Sequence, residues 1–153
     1  MNATAAGRLG KIPTWFRVVA VAGLLWELFG VAMYLMHVGI LPNDTSQMSE
    51  AEQSLMASSP TFVTALFAIG VFAGAIGALG LVMRRRWARP VLIVSLVAVV
   101  LQFGSWLLLT DAIAVVGPTV FVMPLIIVLV ALALVWLAGM AGQRVVWKTD
   151  HRG

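Results

Sequence analysis

Apolar and polar stretches alternate along this chain in a pattern typical of a protein that crosses a membrane several times. Four long apolar segments are separated by short polar or charged connections. Each segment has about 20 residues or more, which is enough for a helix to cross a hydrocarbon core about 30 Å thick. The pattern predicts four transmembrane helices, at 15–40, 60–83, 91–109 and 118–140.

The connection between the first two segments contains the spacing of a helix capping box. Ser49 and Glu52 are three residues apart, so each side chain can bond the other residue's free backbone N–H. Met48, Ala51 and Leu55 then fall on one helical face. We therefore expect a short amphipathic helix along the outer membrane surface in this first outer loop. The predicted fold class is all-α, a four-transmembrane-helix bundle with one such surface helix.

The basic residues are distributed unevenly among the connections. Three lie before or at the start of the first segment, four lie between the second and third, and three follow the fourth: Arg8, Lys11, Arg17; Arg84, Arg85, Arg86, Arg89; Arg144, Lys148, Arg152. The other two connections carry only acidic charge: Asp44, Glu50, Glu52 and Asp111. Cationic flanks stay in the cytoplasm during insertion. The pattern predicts a multi-pass membrane protein with both termini cytoplasmic, a flexible N-terminal segment at 1–14 and a basic tail at 141–153.

Composition excludes several classes of function. The chain has 153 residues, of which 61% are hydrophobic and 10% charged, whereas soluble domains are about 25% charged. The net charge of +4 lies beside apolar segments, which favours anionic lipid headgroups over nucleic acid as its partner. There is no cysteine, and His37 and His151 are predicted on opposite sides of the membrane. We expect no metal, no cofactor and no enzymatic activity.

Glu27 is the acidic residue inside a predicted membrane span. It lies ten residues after Arg17, or roughly 15 Å deeper at the helical rise per residue. An acid near the bilayer centre costs about 2.5–3.5 kcal/mol, so it should face protein or water. Two interpretations remain open: a proton-carrying or substrate-binding acid, and a neutral carboxyl that hydrogen-bonds between helices.

Other polar residues share this depth or this face. Tyr34 lies on the same face of the first helix as Glu27, and Gln102 of the third helix has a similar predicted depth. We expect the two polar faces to meet, with Gln102 donating to Glu27. The predicted substrate or proton site comprises Glu27, Tyr34, Gln102, Trp26 and Ser105. The alternative is interhelical hydrogen bonding without a ligand, favoured for Ser95 and Ser105, at about 0.6–2 kcal/mol per bond.

Small residues and a proline mark the second and fourth helices. Gly70, Gly74 and Gly77 lie on the small-residue face of the second helix, which predicts close packing inside the bundle rather than a dimer contact. Pro124 lies inside the fourth predicted helix, where it should free the Val120 carbonyl and produce a kink. The four arginines of the 84–89 turn, Arg84, Arg85, Arg86 and Arg89, are predicted to contact lipid headgroups.

Three further sequence features are the series Trp26, Gly30, Tyr34, the arginine turn that ends at Pro90, and the stretch 106–118. Together they resemble a family of small four-helix proteins of the bacterial inner membrane that are loosely labelled sugar transporters. The resemblance covers the chain from about Trp15 to Trp136. It implies a four-helix membrane fold and transport of a small solute such as a sugar.

The sequence thus leaves two functional hypotheses from different classes. The first is a small integral membrane protein, a candidate transporter of a small solute with a polar site inside the bundle; four helices leave little room for alternating access, so transport would need a homo-oligomer. The second is a non-transporting membrane subunit or assembly factor that contacts a membrane partner through its outer loop and arginine turn.

Overall fold

The computed structural model describes residues 13–144 of the chain. The described part forms six α-helices and one 3₁₀ turn, with no strand. They are α1 Thr14–His37, α2 Glu50–Ala57, α3 Thr61–Val82, α4 Ala88–Leu109, α5 Ala112–Val116, the 3₁₀ turn Pro118–Phe121 and α6 Val122–Arg144. The predicted N-terminal segment with Arg8 and Lys11, and the tail with Lys148 and Arg152, lie almost wholly outside the described residues.

The predicted fold class is confirmed. Four helices in the described part are long and apolar enough to cross a membrane: α1, α3, α4, and α6 together with its 3₁₀ turn. The short helix predicted between the first two spanning segments is also present as α2. Its capping box is complete, since the Ser49 N–H donates to Glu52 Oε2 at 2.8 Å and the Glu52 N–H donates to Ser49 Oγ at 3.2 Å. The chain therefore has the architecture of a small multi-pass membrane protein.

A proline stands at or near the start of each spanning helix. Pro13 and Pro60 precede α1 and α3, and Pro90 and Pro124 are the third residues of α4 and α6. Proline is tolerated in a first turn because the N–H it lacks would have no helical partner there. The prediction that Pro124 lies inside the fourth helix is wrong: residues 118–121 form a separate 3₁₀ turn, so Pro124 lies in the first turn of α6 and not in its interior. The predicted kink at Pro124 therefore loses its basis.

The helices α1 and α3 end in the same backbone motif with different residues. Gly39 follows α1 at φ 78°, and Arg84 follows α3 at φ 59°. In each case the next N–H bonds five residues back, from Ile40 to Leu35 at 2.9 Å and from Arg85 to Gly80 at 2.8 Å. This is the Schellman pattern, which favours glycine at its left-handed position. The chain therefore accepts a strained arginine at the end of α3.

The four spanning helices pack in the order α1, α3, α4, α6, with the α3–α4 contact the most extensive. We call the basic end the one where α1 and α4 begin and α3 and α6 end. There, all four helices enclose one apolar core: Phe16, Ala20, Leu81, Ala88, Leu92, Leu134, Leu137, Ala138 and Ala141. In α1, Gly23 meets α6, and a Cβ added to it would lie 2.5 Å from a Leu134 methyl group. The bundle is therefore closed at its basic end.

The opposite end, which we call the α2 end, has its own small core. Leu55 of α2, Ala112 of α5 and Val120 of the 3₁₀ turn are buried together, with Trp106 packed beside them. Leu55 of α2 is thus covered by α5 and the 3₁₀ turn. This docking holds α2 in contact with α5 at that end of the bundle.

Candidate functional site

A cavity lies between α1 and α6, with α3 and α4 forming its floor. Its volume is about 220 Å³. The polar side chains lining it are Glu27, Ser95 and Gln102, and its aromatic lining is Trp26, Phe29, Phe67 and Phe103. Small ligands are usually bound in such largely apolar cavities by a few well-placed polar groups. We therefore take this cavity, called the Glu27 cavity below, as the candidate site.

The position of the Glu27 carboxylate depends on a glycine of the neighbouring helix. A Cβ built at Gly74 would collide with Glu27 Oε2, would lie 2.7 Å from its carboxyl carbon, and would be 3.0 Å from Ser95 Oγ. The missing side chain at Gly74 therefore provides the space into which the carboxylate fits. The glycine face predicted for packing lies on the α3–α4 contact, but at Gly74 it also accommodates the acid.

Ser95 joins two helices and has no free proton for the acid. It is 4% exposed, and its hydroxyl donates to the Gly70 carbonyl at 2.7 Å. This bond connects α4 to α3 beside the Glu27 carboxylate. The Ser95 hydroxyl proton is thus used in a hydrogen bond to the backbone. This is the interhelical hydrogen bonding that was expected for Ser95 from the sequence.

The Glu27 carboxylate is open to the cavity. The hydrogen bonds among the described residues include none to Glu27, yet no fully enclosed side-chain oxygen or nitrogen in this part of the chain lacks a partner. Both observations hold only if the carboxylate oxygens are accessible. A group that entered the cavity could therefore contact this acid directly.

Gln102 lies on the cavity wall and does not bond Glu27. The expected hydrogen bond between them is absent from the described residues, and α1 and α4 have no direct backbone contact because α3 lies between them. Gln102, Phe67 and Phe103 instead separate the Glu27 cavity from a second cavity of about 190 Å³. Glu27 and Gln102 therefore line one cavity but form no hydrogen bond with each other.

The second cavity leads toward the α2 end. It is lined by His37, Met56, Ser59 and Trp106, besides the shared wall. His37 and Met56 also line an open surface depression beside the loop that carries Asn43 and Thr45. Three spaces therefore follow one another from the loop surface to Glu27, and the residues Phe67, Gln102 and Phe103 form the partition before the last one.

The remaining predicted site residues are divided between the cavity and its surroundings. Trp26 lines the Glu27 cavity. Tyr34 lines none of the three described spaces: its ring stacks edge-on against Phe67 at 5.4 Å and Phe72 at 5.7 Å, because α1 leans on α3 at that level. Ser105 also lies outside these spaces.

The small residues of α3 contact α4 along much of its length. A Cβ at Gly70 would lie 2.9 Å from a Val99 methyl group, and one at Gly77 would lie 2.7 Å from the Leu92 Cγ and 3.1 Å from its backbone nitrogen. Only glycine fits such an approach without displacing the neighbouring helix. The glycine face is therefore an internal helix contact, and its neighbours leave no space there for a second chain.

The arginine turn is exposed at the basic end. Arg84, Arg85, Arg86 and Arg89 are all exposed to solvent. The Arg89 guanidinium extends toward α6, where a Cβ at Gly139 would be 3.7 Å from it. Contact of these cations with lipid headgroups remains a prediction.

Sequence reasoning missed the contributions of α6 and of the phenylalanines. Met123, Ile127 and Ala131 of α6 line the Glu27 cavity, yet nothing distinguishes them from other apolar residues of a spanning segment. Phe67 and Phe103 were equally inconspicuous.

Among the described residues, no group of three metal-ligating side chains comes together. Comparisons of the chain with protein-family models, with curated proteins and with solved structures find no match.

Proposed function

We propose that this small integral membrane protein binds a small solute in the Glu27 cavity and moves it across the bacterial inner membrane. The observation that carries the proposal is an accessible carboxylate beside a cavity of about 220 Å³ in the middle of the spanning helices, without a hydrogen-bonding partner among the described residues. An acid at this depth costs about 2.5–3.5 kcal/mol to insert. A purely structural acid would recover that cost through a partner on another helix.

The cavities support transport as the activity. The surface depression, the second cavity and the Glu27 cavity follow one another from the α2 end toward the membrane centre. Only the partition of Phe67, Gln102 and Phe103 separates the last two. Movement of these side chains would connect Glu27 to the α2 end, while the core at the basic end stays closed. In the orientation that the basic residues favour, the α2 end faces away from the cytoplasm.

The cavity lining bears on the class of solute. The resemblance to proteins labelled sugar transporters makes a sugar one candidate. A sugar presents hydroxyl groups on every side, however, and each one left unpaired on burial costs about 1–3 kcal/mol. The cavity offers one carboxylate, one amide, the indole N–H of Trp26 and a serine already bonded to backbone. A smaller or more apolar solute therefore fits this lining better.

The experiment is a ligand-stabilisation screen of the purified protein in lipid nanodiscs. Sugars, amphiphilic cations and small neutral solutes are added to the wild type, to Glu27→Gln and to the matched control Glu50→Gln, which changes an exposed acid of α2. A solute at 100 times its Kd should stabilise the wild type by about 2.7 kcal/mol. We expect this effect to persist in Glu50→Gln and to be lost in Glu27→Gln, and the same solute should be taken up by proteoliposomes that contain the wild type.

A uniform response of the three proteins to every solute would refute the proposal. It would then favour the second candidate, a non-transporting membrane subunit. The feature that favours that candidate is α2, which is held in place by its capping box and by Leu55 and so presents a fixed acidic surface. A partner complex that tolerates Glu27→Gln but requires residues 45–59 would establish it.

A further inference from the structure

The Glu27 cavity has an opening on the side of the bundle. Phe29 and Met33 of α1 and Met123 of α6 line the cavity and are 56%, 45% and 55% exposed. Cavity-lining side chains that stay about half exposed indicate that the cavity is open beside them. The opening lies between α1 and α6, the two spanning helices at the ends of the packing order.

The packing of α1 and α6 explains why the opening is on this side. These helices touch only briefly, and Gly23 meets Leu134 on the basic-end side of Glu27. Beyond that contact, toward the α2 end, cavity-lining residues of both helices face a shared space. Both helices are spanning segments, so an opening between them at this level faces lipid acyl chains and not water.

The chemistry of the opening and of the cavity selects one kind of molecule. Phe29, Met33 and Met123 form an apolar entrance, and methionine adapts its shape to aliphatic chains. Inside, the Glu27 carboxylate is accessible, and no lysine, arginine or histidine is among the described residues that line this cavity. A carboxylate in a medium of low dielectric constant is best satisfied by a cation that donates hydrogen bonds to it.

We propose that the Glu27 cavity takes an aliphatic amine dissolved in the bilayer, which enters sideways between α1 and α6 and places its ammonium group on the Glu27 carboxylate. The proposal rests on the proposed function, because it names the class of solute for the same site. The alkyl chain lies against Phe29, Met33 and Met123, and the head group passes Trp26 to reach the acid. The solute is thus drawn from the membrane and not from the aqueous phase.

The first test varies the head group at constant chain length. The probes n-octylamine, 1-octanol and octanoate, with glucose as a water-soluble comparison, are titrated into nanodiscs that hold the wild type, Glu27→Gln or Glu50→Gln. We expect octylamine to bind the wild type and Glu50→Gln equally, and Glu27→Gln at least about tenfold more weakly, which corresponds to about 1.4 kcal/mol. Octanoate and glucose should not bind.

The second test closes the opening. The chain has no cysteine, so the double variant Met33→Cys, Met123→Cys has one cysteine on each side of the opening. A short bifunctional maleimide can join this pair. Cross-linking should slow octylamine association at least about tenfold relative to the same double variant before the reagent is added. Met123→Trp narrows the opening without a cross-link and should also slow octylamine association. This variant provides the test if the double cysteine variant does not fold.

The outcomes separate this proposal from the proposed function. If glucose or another water-soluble solute binds with dependence on Glu27 while octylamine does not, the amine proposal is overturned and the solute site stands. If octylamine associates at an unchanged rate with the opening closed, sideways entry is overturned. If no probe distinguishes Glu27→Gln from Glu50→Gln, both proposals fall.

Discussion

Replacing Gly74 by alanine should perturb the packing of α3 and the position of Glu27 at the same time. The new methyl group would collide with the Glu27 carboxylate and press on Ser95 Oγ, which would be 3.0 Å away. The carboxylate is the far end of a flexible side chain and can rotate away. Gly74→Ala should therefore leave the fold intact and displace the acid from its place.

The size of the effect follows from comparison with a second glycine. Alanine gains about 0.5–1 kcal/mol over glycine inside a helix, and this gain is common to Gly74→Ala and to Gly104→Ala, where a Cβ meets nothing within 4 Å. The difference between the two variants isolates the cost of the collision. Overpacking of this kind costs about 1–3 kcal/mol, so Gly74→Ala should be less stable than Gly104→Ala by that amount.

Equilibrium unfolding in mixed detergent micelles, followed by tryptophan fluorescence, measures this difference. The double variant Gly74→Ala with Glu27→Ala removes the colliding carboxylate and should recover part of the loss, with a coupling of about 0.5–3 kcal/mol in the double-mutant cycle. Equal stabilities of Gly74→Ala and Gly104→Ala, or strictly additive effects in the cycle, would refute the packing of Glu27 on Gly74.

Three further predictions concern helix packing and helix ends. Gly77→Ala should destabilise the protein by about 1–3 kcal/mol in the same unfolding assay, because the new methyl group meets the Leu92 backbone nitrogen at 3.1 Å, which cannot rotate away. Arg84→Gly should raise the unfolding midpoint, since it relieves about 1–2 kcal/mol of left-handed strain; an unchanged or lower midpoint contradicts this. The pKa of Glu52 is lowered from its ordinary value of 4.5, mainly by the hydrogen bond from the Ser49 backbone N–H and secondly by the one from the Ser49 side chain. The capping box is therefore complete at neutral pH. It is lost at low pH, where the Glu52 carboxylate of the folded protein becomes protonated. Amide exchange in α2 should therefore accelerate at low pH relative to the other helices, and Ser49→Ala should show that faster exchange already at pH 7.

The four spanning helices and α2 could be predicted from the sequence because each rests on local information. Uninterrupted apolar length determined the four spanning helices, and the Ser49 to Glu52 spacing identified the cap of α2. Pro124 was misinterpreted for a related reason: its effect depends on where the helix begins, and the 3₁₀ turn before it moves that start to residue 122. Hydropathy alone does not show such a change within a continuous apolar segment.

The site was predicted only in part because it depends on which helices are neighbours. The sequence predicted a similar depth for Glu27 and Gln102, and both line the same cavity. The sequence could not show that α3 lies between α1 and α4. Nor could it show that Tyr34 packs against Phe67 and Phe72. The side opening exists because α1 and α6 touch only briefly. The sequence of either helix alone does not show how the two helices pack.

Every assignment above depends on four membrane crossings, with the arginine turn on the cytoplasmic side and α2 on the other. Because the chain has no cysteine, single exposed cysteines at Ser54 of α2 and at Arg86 of the turn can report the side of each connection. In intact bacterial spheroplasts, a membrane-impermeant maleimide should label Ser54→Cys at once and Arg86→Cys only after the membrane is permeabilised. Labelling of Arg86→Cys from outside, with protection of Ser54→Cys, would contradict the predicted orientation, and equal labelling of both would contradict the four crossings themselves.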